Sequence, residues 1–277
     1  VPDPTRHTEE VLRSRQNAKV QEARRIARDP RLARRQGVLL ADGVTIVRDA
    51  IEAGLEPRLI LLDPENPDAP SIRTAAGRRH ARITLATAAV LEAVSTLATP
   101  QGAIGIFGRP RTDAALLLAA PDAARHPLVA VLHGLQDPTN AGALVRTALA
   151  AGLSGIITTS GTVDPFHPRA VRGSMGASFR LPIAVDLAPE TVWETLRRGG
   201  YRLVALDARG DVPLSAIKLD RPTAVVFGSE GSGLDANARA ACDGSVRIPM
   251  AMGVESLGVA AAGAIVFYAL SGLLDSR

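Results

Sequence analysis

One carboxylate, Glu230, stands inside the glycine-rich run Gly228-Ser229-Glu230-Gly-Ser-Gly233, directly after the apolar run Val225-Val-Phe227. A turn of that composition lets backbone groups approach a small ligand closely, and its acid can hold or orient a polar group. Downstream, Val246-Arg-Ile248-Pro-Met250 is a second apolar run with an abrupt end, and Ser256-Leu257-Gly258 leads into an Ala-rich stretch. Upstream, Leu135-Gln-Asp-Pro-Thr-Asn140-Ala-Gly-Ala-Leu-Val-Arg146 supplies an amide and a guanidinium. Strand ends and a helix start thus offer backbone groups to a small ligand, with Glu230 and Ser256 supplying chemistry nearby. Each piece alone also fits a plainer role: a helix cap with a surface arginine, a tight turn, a capped helix. The turn is neither the G-x-G-x-x-G dinucleotide fingerprint nor a Walker A loop, which requires a following Lys-Ser/Thr.

These residues need strands to place them. Leu128–His133, Gly155–Thr159, Arg202–Leu206, Thr223–Phe227 and Ser245–Ile248 read as short, continuously apolar strands. Helical spacing covers 141–151, closed by Gly152, then 192–198, and from Ser256 onward. Such alternation predicts a parallel sheet covered on both faces, with ligands at the carboxyl ends of its strands. The first half alternates too. Helices are expected at 14–28, 44–53, 72–79 and 88–93, with strands at 38–40, 59–62, 82–85 and 104–107 and a Pro-rich loop at 63–70. Between the halves, residues 109–126 read as a linker holding a helical turn or two.

A chain of 277 residues fits two modest cores. Residues 1–110 hold 17 Lys and Arg against 13 Asp and Glu, whereas the rest is balanced at 15 each. The excess gathers between Arg13 and Arg35 and includes Arg24, Arg25 and Arg28. That stripe is either a footprint for a polyanion or a solvated helix face. One cysteine, Cys242, permits no internal disulfide and suits a reducing cytoplasm. It has no neighbouring Cys or His to build a zinc site, so no metal is expected. The start is polar and Arg-rich without a signal-peptide core. The apolar stretch Val259–Leu270 is short for a membrane span and reads as a buried helix.

In their order, the three motifs resemble the SpoU/TrmH family of RNA ribose 2′-O-methyltransferases within the SPOUT superfamily. The resemblance covers 128–270 and includes Pro168-Arg-Ala-Val-Arg172-Gly-Ser-Met-Gly-Ala177 and Leu181-Pro182. The first half is similar to the family's L30e/L7Ae-like accessory domain, through Ser14-x-x-Asn17, the Arg-rich helix and the stretch 37–54. The whole looks most like the two-domain ribosomal RNA branch. This implies an α/β protein with an RNA substrate-binding domain at 1–108, the linker at 109–126, and a trefoil-knotted SPOUT domain with a parallel sheet at 127–277. S-adenosylmethionine is the implied cofactor, held by Leu206, Gly228, Ser229, Ile248, Met250 and Leu257. Asn140, Arg146, Glu230 and Ser256 match the positions around the reacting ribose. Arg24, Arg25, Arg28 and Arg172 are expected to meet RNA, 23S rRNA first among substrates, in a cytoplasmic homodimer whose arginine completes the partner's site. One position departs: the family's Ser-Leu-Asn is Ser256-Leu257-Gly258 here, which leaves open a weakened enzyme or an RNA-binding protein that has lost catalysis.

Overall fold

A computed structural model of the protein describes residues 11–118 and 127–273. These residues form two compact units, one reaching to Pro110 and including Phe166–Pro168, the other formed by Arg111–Pro165 and Arg169 onward.

The first unit runs α1 (Ala18–Arg28), α2 (Pro30–Arg35), β1 (Val38–Asp42), α3 (Val44–Glu52), β2 (Pro57–Leu62), α4 (Ala69–Arg78), β3 (Thr84–Leu85), α5 (Ala88–Val94) and β4 (Ala103–Gly108). Helix α1 starts at Ala18 rather than Ser14, because the Asn17 side chain accepts the Lys19 N–H at 2.9 Å and caps it. Ser14 is spent on a local turn, its hydroxyl accepting from Gln16 N. The expected loop at 63–70 gives way to α4 at Ala69, since Pro70 falls in the first turn where a missing N–H costs nothing. The sheet order is β1-β4-β2-β3, with β4 antiparallel to both neighbours and β2 parallel to β3. Val20, Ala23 and Ile26 of α1 pack with Val90 and Leu91 of α5 and the sheet residues Leu40, Leu61 and Ile104 in one buried cluster.

The second unit begins with α6 (Ala114–Leu118), whose Ala114 and Leu117 lie in that unit's core, inside the stretch expected to be linker. The remainder of that stretch, 119–126, lies outside the described residues. There follow β5 (Leu128–Leu132), α7 (Pro138–Ala150), β6 (Gly155–Thr159), α8 (Pro168–Gly173), β7 (Ile183–Leu187), α9 (Pro189–Arg198), β8 (Arg202–Leu206), β9 (Val212–Pro213), β10 (Thr223–Phe227), α10 (Ala236–Ala241), β11 (Gly244–Arg247) and α11 (Val259–Ser271). The strands form one sheet in the order β7-β6-β5-β10-β8-β11-β9, and every pairing is parallel. Val129, Val131, Ala224 and Val226 face Trp193 and Leu196 of α9 on one side. On the other, the rings of Phe227 and Phe267 meet edge to face at 5.4 Å, bringing α11 onto the sheet. Both faces are therefore covered, and β5, β6 and β10 are buried along their whole length.

Candidate active site

Parallel pairing sends the carboxyl ends of β5, β8, β10 and β11 to one edge of the sheet, so residues just beyond them share that edge. Leu206 ends β8, Gly228 and Ser229 follow β10, and Ile248 and Met250 follow β11. The glycine-rich turn is closed by two backbone hydrogen bonds of 3.0 Å, Ser229 N to Gly233 O and Gly233 N to Ser229 O. The hydroxyls of Ser229 and Ser232 meet at 2.7 Å. Gly228 is required by close approach: a Cβ there would collide with the Gly233 carbonyl and the Leu234 nitrogen.

Glu230 reaches out of this turn to the start of α7. One carboxylate oxygen accepts the Asn140 amide at 3.1 Å and Asp137 N at 3.0 Å, while the other accepts Gln136 N at 3.1 Å. Asp137 caps α7 by accepting from Thr139 N at 2.8 Å, so Asn140 lies in the first turn, next to the positive end of the helix. Burial pushes the Glu230 carboxyl up, but the bonds from Asn140, Asp137 and Gln136 outweigh it and hold the pKa below its ordinary range. The acid is thereby kept ionised and acts as a tie between two segments ninety residues apart.

Arg146 lies on the same helix but not beside that tie. Six residues at α-helical pitch turn it about 120° away from Asn140 and carry it roughly 9 Å along the axis. Its side chain is exposed, and among the described residues nothing pairs with it. The face of α7 that does pack meets α8 and α11. Gly142 leaves no room for a Cβ against the Ala170 carbonyl, and Gly263 of α11 sits against Leu144.

Ser256 does not open the last helix. Residues 248–258 form no helix or strand, and α11 begins at Val259 with Gly258 as its cap, whose carbonyl accepts from Ala262 N at 3.0 Å. Gly258 has extended backbone angles, and its side-chain direction is open space. Leu257 is 38% exposed, and Met252 and Val254 beside it are more so. Strand β11 also stops at Arg247, one residue earlier than the sequence suggests, which leaves Ile248 half-buried at the edge. Arg172 is half-buried in the last turn of α8.

A residue that sequence reasoning passed over lies at the centre of this edge. His133 follows β5, and its ring nitrogens meet Thr159 Oγ1 at 3.0 Å and the Asp235 carboxylate at 2.7 Å. Asp235 also caps α10 through Ala238 N at 2.8 Å; that bond, with the His133 contact, holds its pKa low. His133 thus links the ends of β5 and β6 to the exit of the glycine-rich turn. Its partners are distant in sequence, so only the strand order could have revealed it. Cys242 is half-buried, and burial first, then the Asp243 charge, push its thiol up to about 11. Among the described residues no cluster of His, Cys, Asp and Glu could hold a metal ion, and no helix is long and apolar enough to cross a membrane.

The model of the SpoU rRNA Methylase family matches residues 127–268, and that of the MRM3-like substrate binding domain matches 17–105. An uncharacterised tRNA/rRNA methyltransferase of Mycobacterium tuberculosis is 31% identical over 250 residues, 88% of this chain and 84% of that protein. A 23S rRNA guanosine 2′-O-methyltransferase of Bacillus subtilis is 33% identical over 144 residues, 52% of this chain and 58% of that protein. Among solved structures, the SpoU methyltransferase AviRb of Streptomyces viridochromogenes in complex with AdoMet superposes with a TM-score of 0.82 at 26% identity, covering 94% of this chain and 99% of that one. An AdoMet-bound rRNA methyltransferase of Sinorhizobium meliloti gives the same TM-score at 25% identity, over 95% and 97% of the two chains.

Proposed function

The chain belongs to the SpoU rRNA Methylase family, and on that premise we propose that it methylates the ribose 2′-hydroxyl of an RNA, with 23S rRNA as the substrate class. The observation that carries this reading is the Glu230 tie, which assembles the Asn140 segment and the glycine-rich turn at one sheet edge. The surroundings fit S-adenosylmethionine: a turn with no room for side chains at Gly228, flanked by the partly buried apolar residues Leu206, Ile248 and Met250. Leu206, Gly228, Ser229, Ile248, Met250 and Leu257 would hold it, largely through backbone groups. Bound there, it supplies an electrophilic methyl group.

The chain's own residues then have the task of presenting and activating a poor nucleophile, the ribose hydroxyl. Arg146 orients the ribose and its adjacent phosphate and stabilises charge developing on the 2′-oxygen. A guanidinium holds its proton too firmly to be a ready base. Glu230 positions Asn140 and the start of α7, and Ser256, on the segment that leads into α11, would serve as a hydrogen-bonding group. The displacement of Arg146 around α7 from Asn140 supports a homodimer in which the arginine serves the partner's site. Family membership and the AdoMet-bound relatives likewise support a trefoil knot in the domain at 127–277 and an L30e/L7Ae-like fold for residues 1–108, joined through 109–126. Arg24, Arg25, Arg28 and Arg172 are the RNA contacts of this reading, and the cytoplasm is its setting.

Incubation with methyl-labelled S-adenosylmethionine and unmodified rRNA tests it. Label should enter ribose, and Arg146→Ala should lower transfer at least about a hundredfold, the scale of losing a charge-stabilising group. Cofactor affinity should stay within about twofold, since the interaction removed belongs to the reacting oxygen. Intact cofactor binding with no transfer to any RNA would refute the activity.

A further inference from the structure

The groove between α1 and α2 differs from an ordinary solvated helix face. Gln21, Arg24, Arg25, Arg28, Asp29 and Leu32 line a cavity of about 380 Å³. That volume lies within the range of small-ligand sites, about 300–1,000 Å³. Arg24, Arg25 and Arg28 are spaced i, i+1 and i+4, which sets three guanidiniums within one turn of helix. Among the described residues none of the three is paired with a carboxylate, and Arg24 Nε is buried without any hydrogen-bond partner.

The one acid in the wall does not neutralise them. Asp29 caps α2, one oxygen accepting from Arg31 N at 2.9 Å and Leu32 N at 3.0 Å, and its other oxygen lies 3.9 Å from Arg35. Gln21 is likewise anchored, its amide donating to Arg15 O at 2.6 Å. Like charges three and four residues apart on a helix repel one another, and a buried N–H left unpaired adds its own cost. The repulsion is relieved by one anion that accepts several of the guanidinium N–H groups facing the groove, which is the geometry of a phosphate.

We propose that this groove is a discrete phosphodiester pocket that seats one phosphate of the RNA and its ribose. The proposal rests on the RNA reading above and deepens it, replacing a diffuse basic surface with one site of defined chemistry. Leu32, half-buried in the wall, offers the sugar an apolar surface, and Gln21 offers an amide edge.

A charge-preserving series on the full chain separates a pocket from a diffuse field. Binding of purified 23S rRNA would be measured for the parent protein and for Arg24→Lys, Arg28→Lys and Arg31→Lys. Lysine keeps the charge but loses the planar fork, so Arg24→Lys and Arg28→Lys should each weaken binding about tenfold, the scale of one charge-assisted contact. Arg31→Lys, outside the cavity wall, should be neutral. Far-UV circular dichroism and melting temperature, measured in parallel, should stay at the parent values in all three and so report correct folding of the first unit. Equal behaviour of all three variants, or displacement of the RNA by polyglutamate as effectively as by a phosphate polyanion, would overturn the pocket. Failure of the parent protein to bind rRNA at all would instead overturn the RNA reading.

Discussion

Two glycines border the candidate active site, and they differ in almost every physical respect. Gly228 opens a turn closed by paired backbone hydrogen bonds, and a single added carbon there meets backbone. Gly258 ends an exposed coil, has ordinary backbone angles and faces open space. The first half of the site is therefore preformed. Its shape is set by the Glu230 tie, the His133–Asp235 link and the lack of room at Gly228, before any ligand arrives. The second half, 248–258, carries exposed apolar side chains at Met252, Val254 and Leu257 and few internal bonds. A preorganised turn and an open segment that both follow strands at the same sheet edge suit a site in which one part is rigid and the other adapts to what binds.

The sharpest way to break this contrast is Gly228→Ala. The new methyl group has only the Gly233 carbonyl and Leu234 nitrogen to push against, so the turn must move as a whole. The expected cost is about 1–3 kcal/mol of stability, the range for overpacking a closed site. S-adenosylmethionine affinity should fall by at least about tenfold, since about 1.4 kcal/mol of lost binding corresponds to that factor. Denaturant melts and calorimetric titration would check both. Unchanged affinity would mean that the turn adapts and is not preformed.

Glu230→Gln comes next. Glutamine keeps one acceptor but turns an amide N–H₂ either toward the Asn140 amide and Asp137 N–H or toward the Gln136 N–H, so part of the tie becomes donor against donor. Because the carboxyl is exposed, the stability loss should be only about 1 kcal/mol, but turnover should drop about tenfold as Asn140 and the start of α7 lose their position. The pH dependence gives a second check. The folded-state pKa lies below the ordinary 4.5, so the stabilisation is complete above that value and is lost as pH falls through the lower folded one. The variant should lose that part of the acid limb of its stability profile while behaving like the parent near neutrality.

The same contrast explains what the sequence could reveal. Strands β5, β6, β8 and β10 were legible because both of their faces are buried, which writes a continuous apolar run. The turn at Gly228 was legible for a related reason, as a close approach demands glycine. Strand β7 was not. Ile183-Ala-Val-Asp-Leu187 lies at the sheet edge, is buried only over its first half and carries a charge. The antiparallel pairing of β1 with β4 left no mark either, since apolar alternation records burial and not direction. The linker was expected to hold a helical turn or two, and α6 is such a turn; its packing into the second unit's core was not legible, because an Ala/Leu patch beside prolines does not say what it packs against. His133 was invisible for a deeper reason: its partners Thr159 and Asp235 become neighbours only through the strand order. Ser256 misled because serine is a good cap, whereas the helix begins three residues later at Val259, and its cap is a glycine with no side chain to hydrogen-bond.

The smallest expected structural effect falls at the other glycine. Gly258→Asn restores the residue type the motif otherwise carries, and it does so where nothing obstructs a side chain and the backbone angles suit any residue. Asparagine at a helix cap can accept an N–H from the first turn, so α11 should gain a few tenths of a kcal/mol, seen as a slight rise in melting temperature. Because that change is small, any change in methyl transfer reports on the amide itself and not on refolding. If glycine has weakened the enzyme, the variant should raise kcat with little change in cofactor affinity, since the amide would act on the Ser256 side of the reacting ribose. If the parent is already competent, kcat should be flat, and the open half of the site needs no amide at this position. A fall in cofactor affinity would contradict both, because it would mean that the coil around Gly258 is as closely fitted as the turn at Gly228.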